Sequence, residues 1–355
     1  MYVRSGDTSS LAASGGAVSI QAGDGTNADG ANGGSGGNVV FRAGSGSGLA
    51  RTNEGGAISI VAGDSSMGDG GGISLSTGQS DVSSSGPVTI VSGNAGVSGA
   101  SAAVSLITGT TSAGASGLLS FTTGDATNGG AGDINVIVGT GDTNDGGDLI
   151  LSAGRTVAQA QQGGKVIIIG GEGASTSVLD GGDGGQVHIT GGNADGQSIG
   201  DNGGDVNMHG GRAYSGYGGS VSIASGSGIA TSSGSLIMET GPAGSGGVSG
   251  SIYVNTGTTS NGGSGEIIVA TGQAISGGAG SITISVGEGN SGEAGYLSLN
   301  AGDTTDIQGA TGGFTFIRSG YSTHTSSGPL LVQTANAGTA GVSGQIMVGS
   351  GTSAN

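Results

Sequence analysis

The residue types in this chain that could do chemistry are its carboxylates and a few histidines. Asp142, Asp145 and Asp148 follow one another at intervals of three, Asp180 and Asp183 repeat that interval, and Asp195, Asp201 and Asp205 come soon after. Clustered carboxylate oxygens suit a hard cation such as Ca²⁺. Asp142, Asp145, Asp148, Asp180 and Asp183 are therefore the candidate metal ligands, and loosely bound calcium is the one cofactor they suggest. His188, His209 and His324 are the only histidines. His188 and His209 stand in successive copies of a repeat, two residues out of register, which reads as a surface pair and not as a metal site. There is no cysteine, so thiolate chemistry and disulfides are excluded and compartment cannot be read from redox chemistry.

What must position these residues is a repeat. Asp133-Ile134-Asn135-Val136-Ile137-Val138-Gly139 is an alternating segment closed by glycine. In an extended backbone Ile134, Val136 and Val138 share one face. Ile58, Ile60 and Ala62 form the same triplet, as do Leu119, Phe121 and Thr123, and Ile282, Ile284 and Val286. Counted by the first inward residue, from Val18 through Phe314 to Ile346, there are 21 copies. Their spacings run 21, 19, 15, 15, 16, 15, 15, 15 and 17, and then the series starts again. A unit of nine copies and 148 residues is thus nested over the short period, and it fails after Phe314, where a spacing of 16 replaces 21.

These spacings predict an all-β chain: a parallel β-solenoid (β-helix) of about 21 coils of 15 to 21 residues, stacked as one continuous array over 1–355. Its superrepeat units would be 15–162, 163–310 and a partial 311–355. Glycine, 88 of 355 residues, disfavours helix, and the regular β-branched positions argue against disorder. Glycines do not recur every third residue and there are only three prolines, which excludes collagen. The glycine-rich returns are expected to turn through positive φ, with Ala95, Thr111 and Ala126 facing the large residues across a thin interior. The long returns, around Gly23 to Gly55 and Arg155 to Asp205, are expected to project as a collar. Apolar burial alone does not offset the ordering of so many residues, so a backbone ladder between coils has to supply the rest.

The outward positions include Val40, Val61, Ile137, Ile150, Tyr253 and Ile268. That apolar strip is an expected contact surface for another copy. Open strand edges at both ends, the last near Gly351 to Asn355, predict head-to-tail stacking or a longer parent chain. The net charge of -17, with only seven Lys and Arg, speaks against nucleic acid or an anionic membrane surface as partner. No run is long enough for a membrane span, and the start, Met1 to Gly6, lacks the apolar region of a signal peptide.

Several resemblances bear on function. Gly129 to Asp133 and Gly181 to Gln186 resemble part of the calcium-binding nonapeptide repeat, but Ile134 and Gln186 stand where that family has Asp. Insect antifreeze solenoids are similar in period. Their Thr-x-Thr ladder is approximated by Ser120 with Thr122 and broken by Asn135 with Ile137. Polysaccharide lyases and tailspike hydrolases on β-helices carry acid and base residues in a groove; here charged residues are 9% and aromatic platforms are scarce. The motif Gly-[Asp/Ser]-[Ile/Val/Leu]-x-[Ile/Val/Leu]-x-[Thr/Ala/Ser]-Gly, with Gly-Asp-Ala-Thr or Gly-Thr-Thr-Ser returns, resembles glycine-rich proteins of the extracellular surface or wall of stramenopile algae and oomycetes. That resemblance implies a structural role. The expectation is a non-enzymatic subunit of an extracellular filament, fibre or surface appendage, packing end-to-end or laterally with copies of itself. An ice-binding or adhesin-type module is the alternative. Surface polysaccharide is a possible further partner, as are O-linked sugars on Ser and Thr; no Asn precedes Ser or Thr by two, so N-linked glycans are not expected.

Overall fold

The computed structural model describes residues 2–9, 11, 13–30, 33–50 and 52–352. Met1 and Ser353 to Asn355, part of the expected open ends, lie outside the described residues, as do residues 31, 32 and 51 of the first expected collar. The chain divides into two units, Met1–Ile169 and Gly170–Asn355, each of which is a succession of motifs joined by turns.

Written from its first glycine, the motif is Gly132-Asp133-Ile134-Asn135-Val136-Ile137-Val138-Gly139, positions 1 to 8. Alternation survives in the structure: Ile134 at position 3 is 56% exposed and Val138 at position 7 is 42%, against 85% for Ile137 at position 6. The two faces are distinct, and neither is covered.

The expected parallel β-solenoid is not what forms. Among the described residues there is no helix and no β-strand, and no side chain is buried. The accessible surface is 34542 Å², where a folded monomer of this mass would expose about 12,000 Å² and its extended chain about 47,000 Å². The physical reason lies in where the backbone bonds go. A solenoid needs each extended segment to bond with the next along its length. Here each repeated bond joins the two ends of a single turn: Gly37 N–H donates to Gly23 C=O at 2.8 Å, Gly56 to Gly44 at 2.8 Å, and Gly71 to Gly63 at 2.9 Å. With no ladder between motifs, two large apolar residues per copy are too few to offset the ordering of a glycine-rich chain. The thin interior is absent as well, and Ala95, Thr111 and Ala126 remain exposed.

The bond follows one rule: position 1 of a motif donates to position 8 of the motif before it. Twelve such bonds form among the described residues, reaching Gly219 to Gly211 and Gly328 to Gly320. Two corrections to the sequence reading follow. Gly16 donates to Gly6 at 2.9 Å and Ser5 is half-buried, so residues 2–6 follow the motif pattern, which the count from Val18 leaves out. In the motif that ends at Gly320 the register is one residue later than the spacing suggested. Gly313 donates to Gly302 and Gly328 to Gly320, so the inward row is Thr315, Ile317 and Ser319. Phe314 is 86% exposed against 66% for Ile317, and Ser319 is half-buried. Phe316 therefore points outward, where the Arg318 guanidinium lies over its ring at 5.7 Å. A shift of one residue exchanges every side chain between faces.

Positive φ is not the main use of glycine. Among the described residues it occurs at five glycines, including Gly114 (φ 114) and Gly262 (φ 119), and at Ala160 (φ 55). At a number of glycines close approach is the requirement instead. A Cβ on Gly25 would stand 2.4 Å from the carbonyl carbon of Gly34, and one on Gly173 2.4 Å from that of Gly182. Those pairs lie 148 residues apart, so the longest return crosses itself in the same way in both units. The next return is matched too. The Asn53 side chain lies over Gly48 and that of Asp201 over Gly196, with Asn53 N–H donating to Ala50 C=O and Asp201 N–H to Ser198 C=O, each at 3.0 Å.

Candidate functional site

The carboxylates are not brought together. Among the described residues no three of His, Asp or Glu converge on a point where one metal ion could sit. Asp142, Asp145, Asp148, Asp180 and Asp183 are all exposed; Asp148 stands at position 2 of a motif and the other four in returns. Asp201 is instead a local brace, accepting the Ser198 N–H on Oδ2 at 3.0 Å. His324 Nδ1 is 2.7 Å from Thr323 Oγ1, a contact between chain neighbours on an exposed return. One ion pair, Arg4 with Asp7, forms among the described residues, and both partners are largely in solvent; such a pair contributes little.

Two open clefts lie between motifs. In the first unit Val3, Phe41, Arg42, Ala57 and Ile58 line one of about 780 Å³. In the second unit Leu299, Asn300, Phe314, Phe316 and Ile317 line one of about 440 Å³. Neither lining includes a carboxylate or an imidazole.

The surface is organised instead as rows. The outward residues Val40, Val61, Ile137, Ile150, Tyr253 and Ile268 are exposed, and the inward positions are only partly shielded. A third row escaped the sequence reading. Met67, Val82 and Val97 stand 15 residues apart at the tips of successive returns and are fully exposed. Their constant interval was the available signal, obscured because attention in the returns falls on glycines and on small central residues such as Ala95, Thr111 and Ala126. Soluble monomers rarely leave so many regularly placed apolar residues uncovered.

No helix is long and apolar enough to cross a membrane among the described residues. No protein-family model matches this chain, nor does any curated protein or solved structure.

Proposed function

We propose that this chain is a structural, non-catalytic protein that assembles with copies of itself into a filament or surface appendage outside the cell. One observation carries the reading. Apolar residues recur at fixed intervals along the chain, yet among the described residues no side chain is buried. A chain that leaves its own apolar rows open gains its burial by association, and its stability then depends on its concentration. Copies of the chain are the partner of matching period, since each carries the same rows every 148 residues. Contact end-to-end or side-to-side would cover them. The resemblance to glycine-rich wall proteins supports an extracellular place, and the scarcity of convergent acid and base residues favours a role without chemistry.

Sedimentation velocity over a wide concentration range, with electron microscopy of the same samples, tests the reading. Mass that grows with concentration and elongated particles are expected. A dispersed monomer at every concentration would overturn it.

A further inference from the structure

The turns fall into two classes, and one side chain separates them. The residue at position 7 of each motif lies opposite the glycine at position 1 of the next. A Cβ on Gly71 would stand 3.4 Å from Ala62 Cβ, and one on Gly164 would be 3.3 Å from Ala153 Cβ. Where position 7 is Gly, Ala or Ser and position 1 is glycine, the turn closes, with N–H to C=O distances of 2.8 to 3.0 Å. At Thr77 the Gly86 to Gly78 bond stretches to 3.4 Å. Where position 7 is Thr108, Thr123, Thr240, Thr256 or Thr271, the bond is absent among the described residues. Val138, Val286 and Thr334 leave their turns open as well.

In the open turns a γ-carbon of the position 7 residue stands beside the glycine. Thr256 presents Cγ2 at 3.5 Å from the Cβ site of Gly265, Thr271 presents it at 3.4 Å to that of Gly280, and Val286 Cγ1 is 2.9 Å from that of Gly295. The added methyl of a β-branched residue fills the space that the two backbones must share to bond. One further turn, from Gly93 to Ala102, has a small Ser92 at position 7 but lacks glycine at position 1, and it too is unbonded. Open turns therefore run together, over 93–147 in the first unit and 241–295 in the second, which are 148 residues apart.

We propose that position 7 is a size-graded clasp, and that each nine-motif unit alternates a clasped section with an unclasped, extensible one. The clasped turns hold their glycine amides against solvent. The unclasped ones leave donor and acceptor to water, at the small net cost of an exposed hydrogen bond, and yield first under load or to proteases. This inference concerns one chain and does not depend on assembly.

Amide hydrogen exchange on the full-length chain tests it. Gly71, Gly164 and Gly219 are expected to exchange more slowly than Gly117, Gly132, Gly265 and Gly280, by about two- to tenfold for a single exposed bond. Thr123→Ala should slow Gly132 and Thr256→Ala should slow Gly265, while Ala62→Thr should release Gly71. As none of these side chains is buried, failure to fold does not confuse the comparison. Brief digestion with elastase should cut first within 93–147 and 241–295; trypsin is uninformative, since those stretches contain neither Lys nor Arg. Equal exchange in both classes, or no response to the threonine substitutions, would overturn the clasp.

Discussion

The Cγ1 methyl of Val138 lies 3.0 Å from the point where a side chain on Gly147 would begin. That contact joins two motifs across an unclasped turn, and it sets how little space the repeat leaves at position 1.

Gly147→Ala should accordingly force Val138 to move, at a cost of about 1 kcal/mol for overpacking of this kind. Gly263→Ala, where a Cβ would meet no atom within 4 Å, should show no such cost. Pairing Gly147→Ala with Val138→Ala removes the methyl and should restore local order. A double-mutant cycle read by amide exchange around residue 147 checks the coupling.

The second unit replaces alanine by glycine at position 7 in three successive motifs. Gly170, Gly191 and Gly210 stand where the first unit has Ala22, Ala43 and Ala62. The backbones approach more closely there, so that a Cβ on Gly191 would lie 1.9 Å from the Gly204 carbonyl oxygen. Gly191→Ala should push these backbones apart to the spacing of the alanine turn at Ala43, with the bond from Gly204 N–H to Gly192 C=O kept, as the bond from Gly56 to Gly44 is kept beside Ala43. Ala43→Gly should leave the bond from Gly56 to Gly44 intact. Exchange at the Gly204 and Gly56 amides checks this, and both are expected to stay slow; release of Gly204 by alanine would count against the size rule.

Assembly should strengthen as salt is added. Copies that each carry a net charge of -17 repel one another at long range, and screening shortens that repulsion to about 10 Å at 0.1 M salt. Lowering the pH toward the isoelectric point of about 4.1 removes the net charge and acts in the same direction. Light scattering at fixed protein concentration, from low to high ionic strength, is expected to rise. A fall with salt would mean that attraction between unlike charges holds the copies together.

Much of the local structure is legible in the sequence. Ile134, Val136 and Val138 share the less exposed face as their alternation implies, and the 148-residue interval reappears in the geometry of Gly25 with Gly34 and Gly173 with Gly182. The misplaced register at Phe314 was legible too. Counting from Phe314 puts Arg318 opposite a glycine, where only small or β-branched residues otherwise stand; counting from Thr315 puts Ser319 there and Gly320 at the closing position. What a periodic pattern could not disclose is pairing between motifs. Alternation specifies which way side chains point, whereas a ladder depends on whether burial outweighs chain entropy. The carboxylates misled for a related reason: Asp142, Asp145 and Asp148 are neighbours in sequence, yet Asp142 and Asp145 lie on an exposed return and Asp148 at position 2 of the next motif, and among the described residues they do not converge.

The recurrence of the braced return, by an amide at Asn53 and by a carboxylate at Asp201, bears on how such a chain can change length. A gain or loss of nine motifs at once keeps every long return beside its clasped neighbours. A gain or loss of a single motif puts the long returns out of step with those of the next unit, as happens after Phe314, where a spacing of 16 replaces 21. Units that differ by whole multiples of nine motifs therefore keep their long returns in step, and each can exchange one brace for another, as Asn53 and Asp201 do.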